Sequence, residues 1–527
     1  MDMKYMPLSD MDIQVWIETE EGRMTPDVRD GRYGWADVSV SLARENGRIG
    51  VYLTADTTPV ARVFLRWAAC GVPGARILGD AWERGYGDME WRGVAPDRVM
   101  PWYMLCHDGD KTDGYGVETG CGAMCSWRLD THSLTLCADV RCGGAGVALH
   151  GRTLHACTVV SRPGEPDETP FMAAKALCHM MCPAPRLPRG PVFGGNNWYY
   201  AYGKSSHDDM IRDSRLIARL SDGAGLTPFM VIDDGWQVCH GSGYNGGPWD
   251  RGNGLFPDMA ALAREMKETG VRPGIWFRPL VTKDALPGEC YIQADRGGEE
   301  AWTLDPSHPL VLRLVEEDTR RLTGWGFELI KHDYSTFDIF GRWGMFMGGE
   351  MTRPGWRFYD HSRTTAEIIL ELYRAIRRGA GEDTILLGCN TVSHLAAGLF
   401  EIMRTGDDTS GVEWERTRKM GVNTLAFRMP QNGAFYLSDA DCAGVAGKID
   451  WRLNREWIRL LSVSGTPLFL SVDPAKVTPE QEEEIHRAIL TWARTQKEAV
   501  PLDWMDTTCP EIWDTQEGRM TFQFPIE

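Results

Sequence analysis

The alternation of apolar and polar positions divides the chain into two unlike parts. Up to about residue 185, short period-two stretches such as "DVSVSLA", "IGVYLTA", "ARVFLRW" and "HSLTLCADV" are separated by Gly, Pro and Asp turns. That is the pattern of antiparallel strands with one buried face, and it predicts an N-terminal β-sandwich over residues 1–173. The helical stretch "FMAAKALCHMM" then runs into "CPAPRLPRGP". Its prolines mark a boundary, so a helical connector is expected over 174–189. From residue 190 the texture changes to short apolar runs alternating with amphipathic segments, as expected of strands buried on both faces by crossover helices. Eight runs qualify: "PVFGGNNWY", "PFMVIDD", "RPGIWFR", "FELIKHD", "TILLGCN", "FEIMRTG", "AFYLSD" and "TPLFLSV". Eight βα units predict a (β/α)8 TIM barrel over 190–497, with a short C-terminal β extension over 498–527.

The intervening helices carry their own start and stop signals. In "FPDMAALAREMKETG", Met259, Leu262 and Met266 share one face and Gly270 is placed to end the helix in a left-handed cap. In "VTPEQEEEIHRAI", Thr478 is a cap, Pro479 occupies the first turn and Gln481 completes a capping box. The acidic residues that follow favour the positive end of the helix macrodipole and are not read as a metal site.

Composition narrows the function classes. A 527-residue chain with 43% hydrophobic residues can bury a substantial core, and its net charge of −18 disfavours nucleic acid and anionic membrane as partners. A glycoside or oligosaccharide fits better, and a homo-oligomer is left open. The first residues, "MDMKYMPLSDMDIQVW", have neither a basic n-region nor an apolar h-region, and no apolar run reaches the roughly 20 residues of a membrane span. A cytoplasmic location is therefore expected. The 14 cysteines are scattered, and the pairs Cys121/Cys125 and Cys178/Cys182 lack zinc-site spacing, so buried thiols are expected and neither metal nor cofactor.

In "GFELIKHDYS" an apolar segment ends abruptly in Lys331, His332 and Asp333. A barrel strand explains this, because its apolar part fills the interior and its polar end emerges at the C-terminal mouth where barrel active sites assemble. Polar residues end other runs too: Asp233 and Asp234 before Gly235 and Trp236, Arg404 with Asp407 and Asp408, and Asp473. Any one pair is readily an ordinary salt bridge, Asp333 with Lys331 or Asp408 with Arg404. Four strands converging on one mouth, with no phosphate-binding glycine loop and no nucleophile elbow, point instead to glycosidic-bond cleavage by two carboxyl groups.

The ordered set "VIDDGWQ", "LIKHDYS", "RTGDD" and "TPLFLSVD" resembles the α-galactosidases of glycoside hydrolase families 27 and 36. The likeness covers roughly residues 190 to 475, and the preceding sandwich is similar to that of the family 36 branch. The resemblance implies a retaining exo-acting α-glycosidase with Asp333 as nucleophile and Asp408 as acid/base. It also implies sugar contacts at Trp198, Asp233, Asp234, Trp236, Trp276, Arg278, Lys331, Cys389, Asn390, Arg404 and Asp473. Arg278 stands where the family 36 branch generally has a glutamate, and His332 replaces a bulkier aromatic. On physical grounds Lys331 should hold Asp333 ionised, and Asp407 is a candidate to raise the pKa of Asp408 by like-charge repulsion. Retention requires carboxyl groups roughly 5 to 5.5 Å apart.

An α-galactosidase is the expected activity. α-N-acetylgalactosaminidase, β-L-arabinopyranosidase, α-galactosyl transglycosylase and a sugar-binding barrel without turnover are the alternatives. The long loop "TFDIFGRWGMFMGGEMTRPGWRFYD" is expected to form an aglycone wall or subunit contact, or to pack on the sandwich, with Trp343 and Trp356 as stacking candidates. His394 and Cys442 are expected in core or rim roles rather than as a nucleophilic pair.

Overall fold

The computed structural model describes residues 7–68, 74–241, 243–293, 296 and 303–527. The first part forms two antiparallel sheets, of six and eight strands. Strand Val38–Glu45 begins with the burial alternation its sequence predicts, Val38 and Val40 inward and Ser39 and Ser41 half-exposed. Trp67 and Trp127, on the two strands that flank Ser133–Asp139, stack at 6.0 Å and add aromatic contact to the buried area. The connector helix spans Pro170–Met181, capped by Thr169, whose hydroxyl accepts from the Met172 N–H. It lies against the sheet strand Thr112–Val117, where Leu177 sits over Gly114.

All eight predicted runs contain a strand of one parallel sheet. These are Phe193–Asn196, Phe229–Ile232, Arg272–Phe277, Leu329–His332, Ile385–Gly388, Ile402–Arg404, Leu437–Asp439 and Leu468–Val472. A ninth short strand, Cys442–Val445, pairs with Leu468–Val472, whereas Leu437–Asp439 pairs with Ile402–Arg404. The seventh expected run thus holds only Leu437–Asp439, and the unexpected Cys442–Val445 follows it across Ala440 and Asp441 at the opposite edge of a curled nine-stranded sheet. Between the two strands Asp441 adopts a left-handed backbone at φ 69°, which interrupts strand geometry.

The helix signals act as read. Met259, Leu262 and Met266 are buried, and Gly270 follows the helix Met259–Glu268 at φ 96°. Thr478 and Gln481 form the reciprocal capping box of Pro479–Arg494, and Thr364 with Glu367 does the same for Thr365–Ala380. The C-terminal residues form a three-stranded antiparallel sheet. No helix among the described residues is long and apolar enough to cross a membrane.

Candidate active site

The C-terminal ends of the parallel strands open into a cavity of about 310 Å³. Its walls include Trp198, Asp233, Asp234, Trp276, Lys331, Asp333 and Asp408, seven of the residues expected from sequence. A larger hollow of about 410 Å³ lies between the outer helices Trp451–Val463 and Pro479–Arg494. It carries none of the strand-end acids, so the carboxylate chemistry belongs to the smaller one.

Asp333 follows directly on strand Leu329–His332 and is held by three donors. The Trp276 indole donates to Oδ2 at 3.0 Å, and the backbone N–H groups of Tyr334 and Asn390 donate to Oδ1 at 2.7 and 3.1 Å. Burial pushes this carboxyl up, but the charges of Lys331 and Arg84 together with the indole bond outweigh it and leave it below the ordinary carboxylate range. The Tyr334 backbone that turns one donor inward sits at φ 65°, an uncommon conformation for an aromatic residue.

Lys331 is not the direct partner of Asp333. Its Nζ donates to Asp233 Oδ2 at 2.7 Å, and Asn196 donates to the same oxygen at 2.6 Å. Burial raises the Asp233 pKa, opposed chiefly by Lys331. Asp234 accepts from Gln237 Nε2 at 2.7 Å and lies 3.3 Å from His240 Nδ1. Two neighbouring acids thus have separate partners, and the sequence could not tell which acid the lysine served.

Asp408 presents 39% of its side chain and lies 3.3 Å from Arg404, which is itself fully buried and closer to Asp441, at 2.7 Å. Asp407 does not act as the expected like-charge neighbour. Arg84 takes its Oδ1 at 2.6 Å and Arg416 its Oδ2 at 2.8 Å, so its charge is compensated. Burial raises the Asp408 pKa, but Arg404, Arg84, Lys331 and Arg416 together bring it below the ordinary value. The direction is opposite to the rise expected from Asp407, because four cations surround the carboxyl.

Other expected contacts are displaced from the cavity wall. Trp236 is fully buried behind it, its indole donating to the Trp276 carbonyl at 2.9 Å. Arg278 is also buried, paired with Asp338 at 2.5 Å and seated 4.3 Å from the Tyr334 ring. It supports the strained Tyr334 from behind. Cys389 is a buried thiol, its pKa raised by burial, accepting from Arg84 and Arg404 at 3.4 Å each. Asn390 reaches Asp333 through its backbone, while its side-chain amide donates to Glu83. Asp473 lies outside the cavity, where it caps the turn before Ala475.

His332 is enclosed by Phe277, Tyr373 and Phe400 and is held neutral, its pKa pushed down to about 3 by burial. His394 stacks on Trp102 at 4.8 Å and meets the Val117 carbonyl at 2.9 Å, a contact between the parallel and antiparallel parts. The long loop divides its tryptophans: Trp343 reaches the cavity with Met345, whereas Trp356 packs on the backbone of Gly143. Arg84, Tyr334 and Arg416 also line the cavity and were not singled out from sequence. For Arg84 the charged tripeptide Trp82-Glu83-Arg84 in a β-rich region was a signal, but nothing there names its partners.

No family model matches the sequence. Among solved structures, an α-galactosidase from Thermus thermophilus in complex with p-nitrophenyl α-D-galactopyranoside superposes with a TM-score of 0.61 at 17% identity. That match covers 93% of this chain and 98% of the other. A family 36 α-galactosidase variant from Geobacillus stearothermophilus in complex with 1-deoxygalactonojirimycin gives 0.59 at 13% identity, covering 95% and 79%. The galactosidase domain of an α-galactosidase-sucrose kinase gives 0.60 at 15% identity, covering 96% and 78%. From the antiparallel sheets through the parallel sheet, the chain has the fold of the family 36 α-galactosidases.

Proposed function

We propose that the protein is a retaining exo-acting α-glycosidase, and that its substrates are terminal α-galactosides. The observation that carries the reading is the pairing of Asp333 and Asp408 on one cavity, reached from different strands, with Asp333 held ionised by three donors and two nearby cations. An ionised, oriented carboxylate that shares a cavity with an accessible one supports double displacement. Asp333 attacks the anomeric carbon as the glycosidic bond breaks, and Asp408 delivers the proton to the leaving oxygen. Asp408 then takes a proton from the water that releases the sugar. Asp233, Asp234 and Lys331 supply acceptors and a donor for sugar hydroxyls, and Trp198 and Trp276 supply apolar walls. The (β/α)8 reading of the curled sheet is supported by its two edge strands being only two residues apart in the chain.

The solved complexes with galactosides and a galactose-like iminosugar support the choice of galactose as glycone. A panel of aryl α- and β-glycosides tests the reading, with α-galactosides expected to turn over fastest. Asp333→Asn should abolish that turnover while leaving the unfolding curve in place. Turnover of the variant near that of the native protein would discard the nucleophile assignment.

A further inference from the structure

The loop following strand Arg76–Gly79 leaves the antiparallel sheets and inserts among the strand ends of the parallel one. Asp80 is bound by Arg428 at 2.9 and 3.1 Å. Glu83 is fully buried and accepts from the Gly344 N–H at 3.0 Å, while its carbonyl accepts from Ser393 at 2.8 Å. Gly85 then grips the loop that carries the two aspartates, backbone to backbone. Its N–H donates to the Thr405 carbonyl at 2.8 Å and its carbonyl accepts from the Asp407 N–H at 3.0 Å. Both glycines are also pressed against the segment Met420–Thr424, which leaves no room for a side chain at either. A Cβ at Gly406 would lie 2.1 Å from the Met420 carbonyl, and one at Gly85 2.8 Å from Thr424.

Arg84 completes this grip with its side chain. It is almost entirely buried, pairs with Asp407 at 2.6 Å and touches the Cys389 sulfur at 3.4 Å, and its Nε–H has no hydrogen-bond partner. Burying a guanidinium with one donor unused is costly. What offsets that cost here is the ion pair with Asp407. With Arg416 on the other oxygen, Asp407 is fastened at both ends, and the adjacent Asp408 alone keeps a substantially accessible carboxyl.

We propose that Arg84 is a positioning residue for the reaction: by clamping Asp407 it orients the Thr405–Asp408 loop so that Asp408, and not Asp407, addresses the leaving oxygen. This rests on the glycosidase reading above. The antiparallel sheets thereby contribute to the chemistry through one arginine, 305 residues from Cys389 in the chain.

The test is a leaving-group series of aryl and alkyl α-galactosides with Arg84→Met, Arg84→Lys and Arg84→Ala. A loop displaced by about 1 Å costs on the order of 100-fold in rate. Arg84→Met should therefore lose about that much kcat on poor leaving groups, much less on good ones, with KM little changed. Arg84→Lys should recover part of the loss, and added guanidinium should partly restore Arg84→Ala. The double variant Arg84→Met/Asp408→Ala should lose clearly less than the product of the two single losses, because both act on one proton transfer. Losses that multiply in the double variant, or a raised KM with unchanged kcat, would overturn the proposal. Should Arg84→Met not fold, Arg84→Lys and guanidinium rescue of Arg84→Ala carry the same decision. If the native protein turns over no glycoside of the series, the glycosidase reading fails by itself. The grip is then judged by unfolding midpoints of Arg84→Lys, Asp407→Asn and their double variant, where strictly additive shifts overturn it.

Discussion

Lys331 donates a hydrogen bond to Asp233, across to another strand, and not to Asp333, two residues along the chain. The ammonium therefore does two things: it neutralises one buried acid by contact and lowers the pKa of a second through space. Breaking such a buried pair from one side costs about 3 kcal/mol or more, because the remaining charge has no partner. Lys331→Met should lose that much stability in denaturant unfolding, and Lys331→Met/Asp233→Asn should regain most of it. Equal stability of the two variants would mean that the pair does not hold the site together.

The charge state of Asp408 leads to a pH prediction. Its pKa lies below the ordinary 3.8, so the fraction carrying the proton falls about tenfold per pH unit above that value. Asp333 is also depressed and is fully ionised over the same range. With alkyl galactosides, kcat/KM should fall as pH rises from about 5 to 8, while dinitrophenyl galactosides, which need no proton, should stay nearly level. A bell centred on neutral pH for both would remove Asp408 as the donor in the free enzyme.

Removing Asp408 altogether should show the same selectivity. Asp408→Ala is expected to cost about 100-fold or more with poor leaving groups, within the usual range for a general acid, and far less with good ones. Equal losses across the series would end the acid assignment.

Arg278 gives a test of support without contact. It is paired with Asp338 inside the protein and stacks on Tyr334. Arg278→Ala leaves Asp338 unpaired and should destabilise the fold by about 3–5 kcal/mol. Asp338→Ala added to it should restore part of the loss. A shift in sugar affinity with no change in stability would show instead that Arg278 touches the ligand.

His332 links stability to pH. Its folded pKa is about 3 against about 6.5 unfolded, so the unfolded chain binds a proton that the native site refuses. The penalty is absent above about pH 7 and grows as pH falls from 6.5 towards 3. His332→Phe fits the aromatic cage and should gain about 2 kcal/mol relative to the native protein at pH 5 compared with pH 8. The same difference at both pH values would mean that the imidazole titrates normally.

Much of the site was legible because strand ends are legible. The apolar runs of "FMVI" and "LI" end where Asp233 and Lys331 begin, and a parallel sheet brings all such ends to one side. Arg278 and Trp236 obey the same rule yet lie behind the cavity wall. A strand end places a residue near the mouth, but packing decides which way the side chain turns. Asp473 was misplaced for a related reason, since an acid at a strand end also serves as a turn cap. Arg84 was missed because its loop has no periodicity that connects it to the parallel sheet.

By itself the sequence determined the two textures of the chain, the positions of the parallel strands, the helix caps and the gathering of acids at one mouth. These follow from local periodicity, which a linear pattern records. The tertiary structure alone decided that Lys331 serves Asp233, that Arg84 and Arg416 fasten Asp407, and that a ninth strand starts just past Asp441 at the other sheet edge. Charge pairing depends on distances of a few ångströms between residues far apart in the chain, and many pairings are compatible with one pattern of hydrophobic and polar positions.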